Sequence, residues 1–278
     1  MKMKTIWFVV ILILVSTIFI NLNFNNNEEE FKPLELNVGD VFNNVEYKNT
    51  MYVINYGIGD VTGDNESDMI ILVGEKEDVS SNFSKNVDLV IYDTKNKTFS
   101  NANIKKLEGS LAKIILSDLT NDNINDIIIS LEKENKEKDV RILTSNDNSL
   151  KEIFGVKDNK GINFVGEVID GVKAHVKCTK LNKELYLDLA DKKEDLKNKK
   201  YIDESGKVIC ENKKIKTSSF LSIEQIKIND ENAIQTTQII TAFDTNEIID
   251  EITAIWKYEN GKWQIKEAKG TKMGNLIY

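Results

Sequence analysis

Two nine-residue stretches of the chain share a spacing of oxygen-bearing side chains that suits a calcium ion. They are "DVTGDNESD" and "DLTNDNIND", and both follow the pattern D-x-T-x-D-N-x-x-D. Calcium takes ~6–8 oxygen ligands, usually from a single flexible loop. Positions one, three, five and nine carry a carboxylate or a hydroxyl, and position seven would contribute its backbone carbonyl (Glu66 and Ile124). The predicted ligands are Asp60, Thr62, Asp64, Glu66 and Asp68 in the first stretch, and Asp118, Thr120, Asp122, Ile124 and Asp126 in the second.

The sixth position of such a loop must turn sharply, and it is usually glycine. Asn65 and Asn123 occupy it here, and asparagine tolerates the left-handed backbone better than most residues. An EF-hand is excluded because Ile71 and Ile129 stand where a bidentate glutamate is required. The alternative is two acidic turns, since turns favour Asp and Asn. The repetition of every ligand-type position favours calcium.

The segments around these stretches favour β-structure. Nine short runs rich in apolar and β-branched residues alternate with turns rich in Asn, Asp, Gly and Lys, which predicts an all-β protein. The best candidate for a helix is Ala190–Lys200, which is predicted to be a solvated surface helix or a charged loop. The nine runs are residues 50–56, 68–74, 87–93, 112–118, 126–132, 139–145, 184–189, 234–243 and 252–258.

A β-hairpin is predicted at "WKYENGKWQI", residues 256–265. Its Asn-Gly pair supplies the two positive φ angles that a type I′ turn requires. Counting outwards from the turn pairs Tyr258 with Trp263 and Trp256 with Ile265, all on one face. Polar residues fill the other face, so the aromatic side chains are predicted to face the core rather than a carbohydrate ligand.

The order strand, acidic loop, apolar strand resembles the FG-GAP or VCBS repeat of integrin α-chains and of small extracytoplasmic bacterial proteins. The resemblance is carried by "YGIGDVTGDNESDMIILVG" and "IILSDLTNDNINDIIISL". In that family each repeat is a propeller blade, with the ion held between adjacent strands. The resemblance implies an incomplete or minimal β-propeller-like repeat fold. Clear repeats would span about 51–105 and 110–160, a loopless blade 161–178, and a degenerate repeat without a site about 215–270, centred on 221–243.

The N-terminal residues predict attachment to a membrane. Two lysines precede an apolar run and three glutamates follow it, so the start of the chain should stay inside and the rest should lie outside. We expect residues 1–24 to be a signal-anchor transmembrane segment, 25–33 a polar spacer and 34–278 an extracytoplasmic domain. The alternative is a cleaved signal peptide and a secreted domain.

The composition narrows the classes of partner. The net charge is −8 and Arg141 is the one arginine, so the chain lacks the basic footprint of a nucleic-acid binder. His175, the one histidine, is predicted to be structural. Cys178 and Cys210 either pair as a disulfide outside the cytosol or remain two buried thiols.

Together these features predict a non-enzymatic, membrane-anchored binding, adhesion or envelope scaffold module with structural Ca2+. Its ligand would be an envelope protein or a glycan. The alternative is an envelope hydrolase or lyase that uses paired carboxylates, although the sequence contains neither G-x-S-x-G nor H-E-x-x-H. A third hypothesis is a sensor or accessory subunit for external calcium. It would need a membrane partner, because only "MKMK" would lie inside.

Overall fold

The fold, taken from a computed structural model, consists mostly of β-strands in two curled antiparallel sheets, one of which forms a half-barrel. The described residues are 35–43, 47–102, 104, 106–146, 149–243 and 247–277. The predicted membrane segment and spacer, 1–24 and 25–33, lie outside them. Within the described ranges, the structure contains no helix that is long and apolar enough to cross a membrane.

The first sheet has nine strands in the described part of the chain, in the order β1-β2-β3-β4-β6-β7-β8-β9, with β5 beside β4. It consists of two four-stranded meanders, β2–β5 and β6–β9, joined by a short pairing of β4 with β6. Its strands are β1 (Val41–Phe42), β2 (Met51–Gly59), β3 (Asp68–Glu75), β4 (Phe83–Asp93), β5 (Thr98–Asn101), β6 (Gly109–Ser117), β7 (Asp126–Glu132), β8 (Lys138–Asn146) and β9 (Ser149–Phe154).

The second sheet also has nine strands among the described residues, in the order β12-β11-β10-β13-β15-β16-β17-β18, with β14 beside β15. One α-helix, α1 (Lys193–Asn198), and the 3-10 turns Asp158–Lys160 and Ala190–Lys192 accompany it. Its strands are β10 (Val165–Ile169), β11 (Lys173–Cys178), β12 (Lys183–Asp188), β13 (Lys214–Thr217), β14 (Ser222–Ile228), β15 (Glu231–Ala242), β16 (Glu247–Glu259), β17 (Lys262–Gly270) and β18 (Gly274–Asn275).

The second meander lies between the first meander and the second sheet. Alternate residues of β7 show this arrangement: Ile127 and Ile129 pack in a core with β3 and β4, whereas Ile128 packs in a core with the second sheet. A strand buried on both faces needs apolar residues without alternation. The continuous run of apolar residues in β7 therefore follows from its place in the middle of the fold.

Each of the nine predicted runs coincides with a strand, and none extends more than one residue beyond it, so the all-β prediction is confirmed. The propeller-like arrangement is wrong for the C-terminal half. Residues 161–178 and 221–243 contribute to the second sheet, not to a loopless blade and a degenerate repeat. Its strands β15 and β16 have 12 and 13 residues, and register shifts interrupt the pairing of β15 with β16 and of β16 with β17. Bulges bend long strands and increase their twist, whereas the strands of a propeller blade are short.

The predicted hairpin is confirmed, and the predicted surface helix is refined. Tyr258 pairs with Trp263 and Trp256 with Ile265 around the Asn-Gly turn, whose two residues both have positive φ. The predicted surface helix exists as α1, but its Leu196 is fully buried and fixes the helix to the core. Cys178 and Cys210 do not form a disulfide in the structure; Cys178 is buried and Cys210 is half-buried.

Candidate metal centre

The two acidic stretches form loops at equivalent places in the two meanders, between β2 and β3 and between β6 and β7. Their backbones turn in the same way. The fourth and sixth positions of both loops have left-handed φ angles: 83° and 67° at Gly63 and Asn65, 60° and 68° at Asn121 and Asn123. Asparagine at the sixth position therefore adopts the conformation for which these loops usually use glycine.

The carboxylate at the first position organises each loop. Asp60 Oδ2 accepts a hydrogen bond from the amide of Asn65 at 2.9 Å, and Asp118 Oδ2 accepts one from the amide of Asn123 at 2.9 Å. A side chain that bonds its own backbone further along holds a turn closed. The first-position carboxylates thus fold both loops around the same sharp corner.

The carboxylate at the fifth position repeats this behaviour. Asp64 Oδ1 accepts a bond from the amide of Glu66 at 2.9 Å, and Asp122 Oδ1 accepts one from the amide of Ile124 at 3.0 Å. The seventh residue contributes only backbone atoms to this arrangement. A glutamate and an isoleucine can therefore occupy the same position without changing the loop.

The carboxylates at the ninth position are buried, with 0% of Asp68 and 1% of Asp126 exposed. Oδ2 of each accepts bonds from the amides of the second and third loop residues, at 3.1 and 3.2 Å in the first loop and 2.7 and 2.9 Å in the second. Burial raises the pKa of both Asp68 and Asp126 above the ordinary value, because the ionised form loses its hydration. A cation that binds the ionised form would offset this cost.

The first loop contains three buried oxygen atoms without hydrogen-bond partners. They are Thr62 Oγ1, Asp64 Oδ2 and Asp68 Oδ1, from the third, fifth and ninth positions. Lys95 Nζ lies 3.6 Å from Asp64 Oδ2, which is longer than a hydrogen bond. Buried acceptors without donors are uncommon in native proteins and call for an explanation such as an ion. The three atoms belong to residues that the sequence predicts as calcium ligands.

In the second loop, more of the side-chain oxygens have hydrogen-bond partners within the loop. Thr120 Oγ1 donates to Asp126 Oδ1 at 3.5 Å, a contact near the limit of a hydrogen bond. Among the described residues, no group of three or more His, Cys, Asp and Glu side chains is arranged to hold a metal ion. An ion in either loop would therefore also need the threonine hydroxyl and a backbone carbonyl, and it would have to draw the carboxylates closer together.

Asparagine side chains connect the loops to one another and to the second sheet. The carbonyl oxygen of Asp60 accepts bonds from the backbone amide and the side-chain Nδ2 of Asn125, at 3.0 and 3.1 Å. The carbonyl oxygen of Asp118 accepts a bond from Nδ2 of Asn232 in β15 at 2.8 Å. Sequence reasoning missed both asparagines. Asn125 could have been found from the sequence, because it lies inside the predicted second loop. Asn232 could not, because it lies 114 positions from its partner Asp118.

Close packing reinforces the contact between the loops. A Cβ atom added to Gly63 would lie 2.5 Å from Cδ1 of Ile124, and Gly63 also has a φ of 83°. A larger residue there would displace the end of the Ile124 side chain. The glycine at the fourth position of the first loop therefore allows the second loop to pack closely against it.

The aromatic side chains of the C-terminal hairpin line a separate cavity of about 280 Å3 with Lys180 and Asp158. Trp256 donates from Nε1 to Thr236 Oγ1 at 2.8 Å and is buried, and Trp263 donates to the carbonyl of Ile153 at 2.9 Å. Trp256 therefore lies in the core as predicted, whereas Trp263 and Tyr258 are half-buried and line the cavity.

Two further residue types of catalytic interest also have structural partners. Nε2 of His175 lies 2.6 Å from Oε1 of Glu184. The His175 ring stacks on the exposed Tyr186, with ring centroids 4.6 Å apart. The S-x-x-K spacing typical of some serine hydrolases occurs at Ser110–Lys113 and at Ser130–Lys133. The first lies in a bulged part of β6, where the serine hydroxyl donates to the carbonyl of Glu132 at 3.3 Å. In the second, Ser130 is buried in β7.

Comparison with known protein families finds a match for the second sheet. Residues 162–271 match the family model of the YybI C-terminal domain. The matched segment contains β10 to β17. No FG-GAP or VCBS family model matches, so the resemblance inferred from the two acidic stretches is wrong as a family assignment. A short acidic spacing that recurs between strands can arise from the demands of a tight loop alone, without common descent. No curated protein and no solved structure matches the chain.

Proposed function

We propose that the protein is a non-enzymatic binding or scaffold module of the cell envelope, stabilised by calcium. In this proposal the loop of residues 60–68 is the principal calcium site, and the loop of residues 118–126 is a second, weaker one. Asp60, Thr62, Asp64 and Asp68, with the carbonyl of Glu66, would hold the first ion. The second would be held by Asp118, Thr120, Asp122 and Asp126 with the carbonyl of Ile124.

The observation that carries the proposal is the set of three buried oxygens in the first loop that accept no hydrogen bond; one of them, Asp64 Oδ2, has an ion-pair contact with Lys95. Buried acceptors of this kind cost about 1–3 kcal/mol each when they lack a donor. Calcium prefers hard oxygen ligands, and a mixture of carboxylate, hydroxyl and carbonyl oxygens is typical of its sites. The shared backbone path of the two loops supports the second site, which has fewer unsatisfied atoms.

The ion's role in the proposal is structural. The loops connect adjacent strands of both meanders, and Asn125 and Asn232 connect the loops to each other and to the second sheet. An ion that fixes the loops would stabilise the junction of all three layers. The two meanders would then act as repeats of one strand–loop–strand unit, carried outside the cell by the N-terminal segment 1–24 and presented to an envelope protein or a glycan.

Thermal unfolding of the full chain tests the proposal. We expect millimolar calcium to raise the Tm relative to EDTA, and we expect the double variant Asp64→Ala, Asp122→Ala to lose that rise. Asp203→Ala is a matched control, because Asp203 also accepts backbone amide bonds in an acidic turn but lies outside both loops. Equal Tm values for the wild type in calcium and EDTA would refute the proposal.

A further inference from the structure

The cavity beside the C-terminal hairpin is lined by aromatic rings that the surrounding protein holds in place. The indoles of Trp256 and Trp263 each donate a hydrogen bond to the protein, at 2.8 and 2.9 Å. Phe154 packs edge-on against Trp263, with ring centroids 5.5 Å apart. These contacts fix the walls before a ligand arrives, which lowers the cost of ordering side chains on binding.

Two of the rings are accessible to a ligand. Tyr258 and Trp263 are half-buried and line the cavity, with ring centroids 5.4 Å apart and an interplanar angle of 59°. The volume of about 280 Å3 is just below the ~300–1,000 Å3 that is usual for small-molecule sites. The cavity therefore has room for a single ring, which the two aromatic side chains would contact through its apolar face.

A lysine without an anionic partner lines the same cavity. Nζ of Lys180 lies 4.5 Å from the ring centroid of Trp256, and among the described residues it forms no ion pair and no hydrogen bond. Desolvation lowers the pKa of Lys180 below its ordinary value, although the charge of Asp158 opposes the shift. An anion in the cavity would offset the hydration that this ammonium group has lost.

Charge and hydrogen bonding narrow the class of ligand further. Two lysines, Lys180 and Lys262, and one aspartate, Asp158, line the cavity, so their net charge is about +1 and favours a ligand with one negative charge. Asp158 Oδ2 accepts a bond from the amide of Gly155 at 2.9 Å, which leaves Oδ1 as an acceptor for a hydroxyl group. An aromatic acid has no such donor, whereas a sugar acid has both the carboxylate and the hydroxyls.

We propose that this cavity binds an acidic sugar residue. The sugar ring stacks on Trp263 and Tyr258, its carboxylate pairs with Lys180, and one of its hydroxyls donates to Asp158. The inference goes beyond the proposed function, because it names a ligand and a binding site that require no calcium ion.

Ligand-observed NMR with the full chain tests the inference, with EDTA present throughout. The probes are glucuronate and galacturonate, with glucose as the neutral match and benzoate as the aromatic match. At least one uronate should bind, with saturation transfer strongest at its ring C–H protons. Glucose and benzoate should bind about tenfold more weakly or not at all. Uronate binding should also weaken as the salt concentration rises.

Variants of exposed lysines test the contact with the carboxylate. Lys180→Met keeps an apolar side chain beside Trp256 and removes the ammonium group, so it should weaken uronate binding about tenfold or more. Lys180→Arg keeps the positive charge and should retain measurable binding. Lys173→Met is the matched control, because Lys173 is exposed in the neighbouring strand β11 and does not line the cavity. It should leave uronate binding unchanged.

The outcomes separate this inference from the calcium proposal. The absence of binding by both uronates, or equal binding of glucose or benzoate, would overturn the inference. Unchanged uronate binding in Lys180→Met would overturn it as well. Because EDTA is present in every sample, such a failure would leave the calcium sites untouched. Equal Tm values in calcium and EDTA would refute the calcium proposal and leave the acidic-sugar site standing.

Discussion

Replacement of Asp68 by asparagine should change stability in opposite directions with and without calcium. Asp68 is fully buried, its Oδ2 accepts two amide bonds, and its Oδ1 has no hydrogen-bond partner. Asparagine keeps an acceptor oxygen for the two amides and removes the buried charge. Its NH2 group also brings a donor into a loop where Thr62 Oγ1 and Asp64 Oδ2 lack one.

The expected size of the effect follows from the cost of an unsatisfied buried group. That cost is about 1–3 kcal/mol, so Asp68→Asn should raise the free energy of unfolding in EDTA by about 1–3 kcal/mol. In a domain of this size, each kcal/mol shifts the Tm by roughly 2–4 °C. In calcium, the wild type gains the binding free energy of the ion, whereas the variant has lost a charged ligand. The order of the two Tm values should therefore reverse.

Differential scanning calorimetry of both proteins in EDTA and in millimolar calcium measures the reversal. Asp126→Asn is the matched control. Because Thr120 already donates to Asp126 Oδ1, this variant should gain less stability in EDTA than Asp68→Asn. A lower Tm for Asp68→Asn in EDTA would refute the argument, because it would mean that the ionised carboxylate stabilises the loop without an ion.

Three further results are expected. Burial raises the pKa of Asp68 and Asp126 in the folded protein above the ordinary value of 3.8. As pH rises from 3.8 through the folded pKa, the unfolded chain ionises first, so the free energy of unfolding falls. Protonation should accordingly weaken calcium binding as pH falls through that window, and titrations at several pH values would show whether affinity stays constant instead. Lys95→Gln removes the cation near Asp64 and should tighten calcium binding in the first loop about two- to fivefold, the equivalent of a weak ion pair; unchanged affinity would exclude competition by the lysine. Asn125→Ala removes one hydrogen bond to the carbonyl of Asp60 and should lower the Tm by the equivalent of about 1 kcal/mol. Ser67→Ala, at the equivalent position of the first loop, should lower the Tm less. Equal Tm values for the two variants would show that the bond adds nothing.

Local sequence was sufficient to predict, as apolar runs, nine of the eighteen strands in the described part of the chain, and it also predicted the sharp corners of the two loops. Period-2 runs, continuous apolar runs and turn residues are local signals, and the left-handed Asn65 and Asn123 follow from the demand for a sharp corner. The tight turn at Asn229 and Asp230, both with positive φ, also explains why the third acidic segment forms no metal loop. A hairpin turn of this kind is too short for nine residues.

The assembly of the strands could not be predicted in the same way. The bond between Asn232 and Asp118 joins residues 114 positions apart, and nothing in either segment indicates the other. The bulges that bend β15 and β16 depend on pairing between long strands, which the local pattern does not specify. The second sheet was therefore mistaken for further repeats, although each of its predicted strands exists.

Calcium titration by isothermal calorimetry tests the central claim, a calcium site in the first loop, most directly. The wild type should show saturable binding. Asp64→Ala should lose the tighter phase, and Asp122→Ala should retain it, because the buried oxygens that accept no hydrogen bond lie in the first loop alone among the described residues of the two loops. The absence of saturable heat in the wild type at millimolar calcium, or an unchanged isotherm in Asp64→Ala, would contradict the claim.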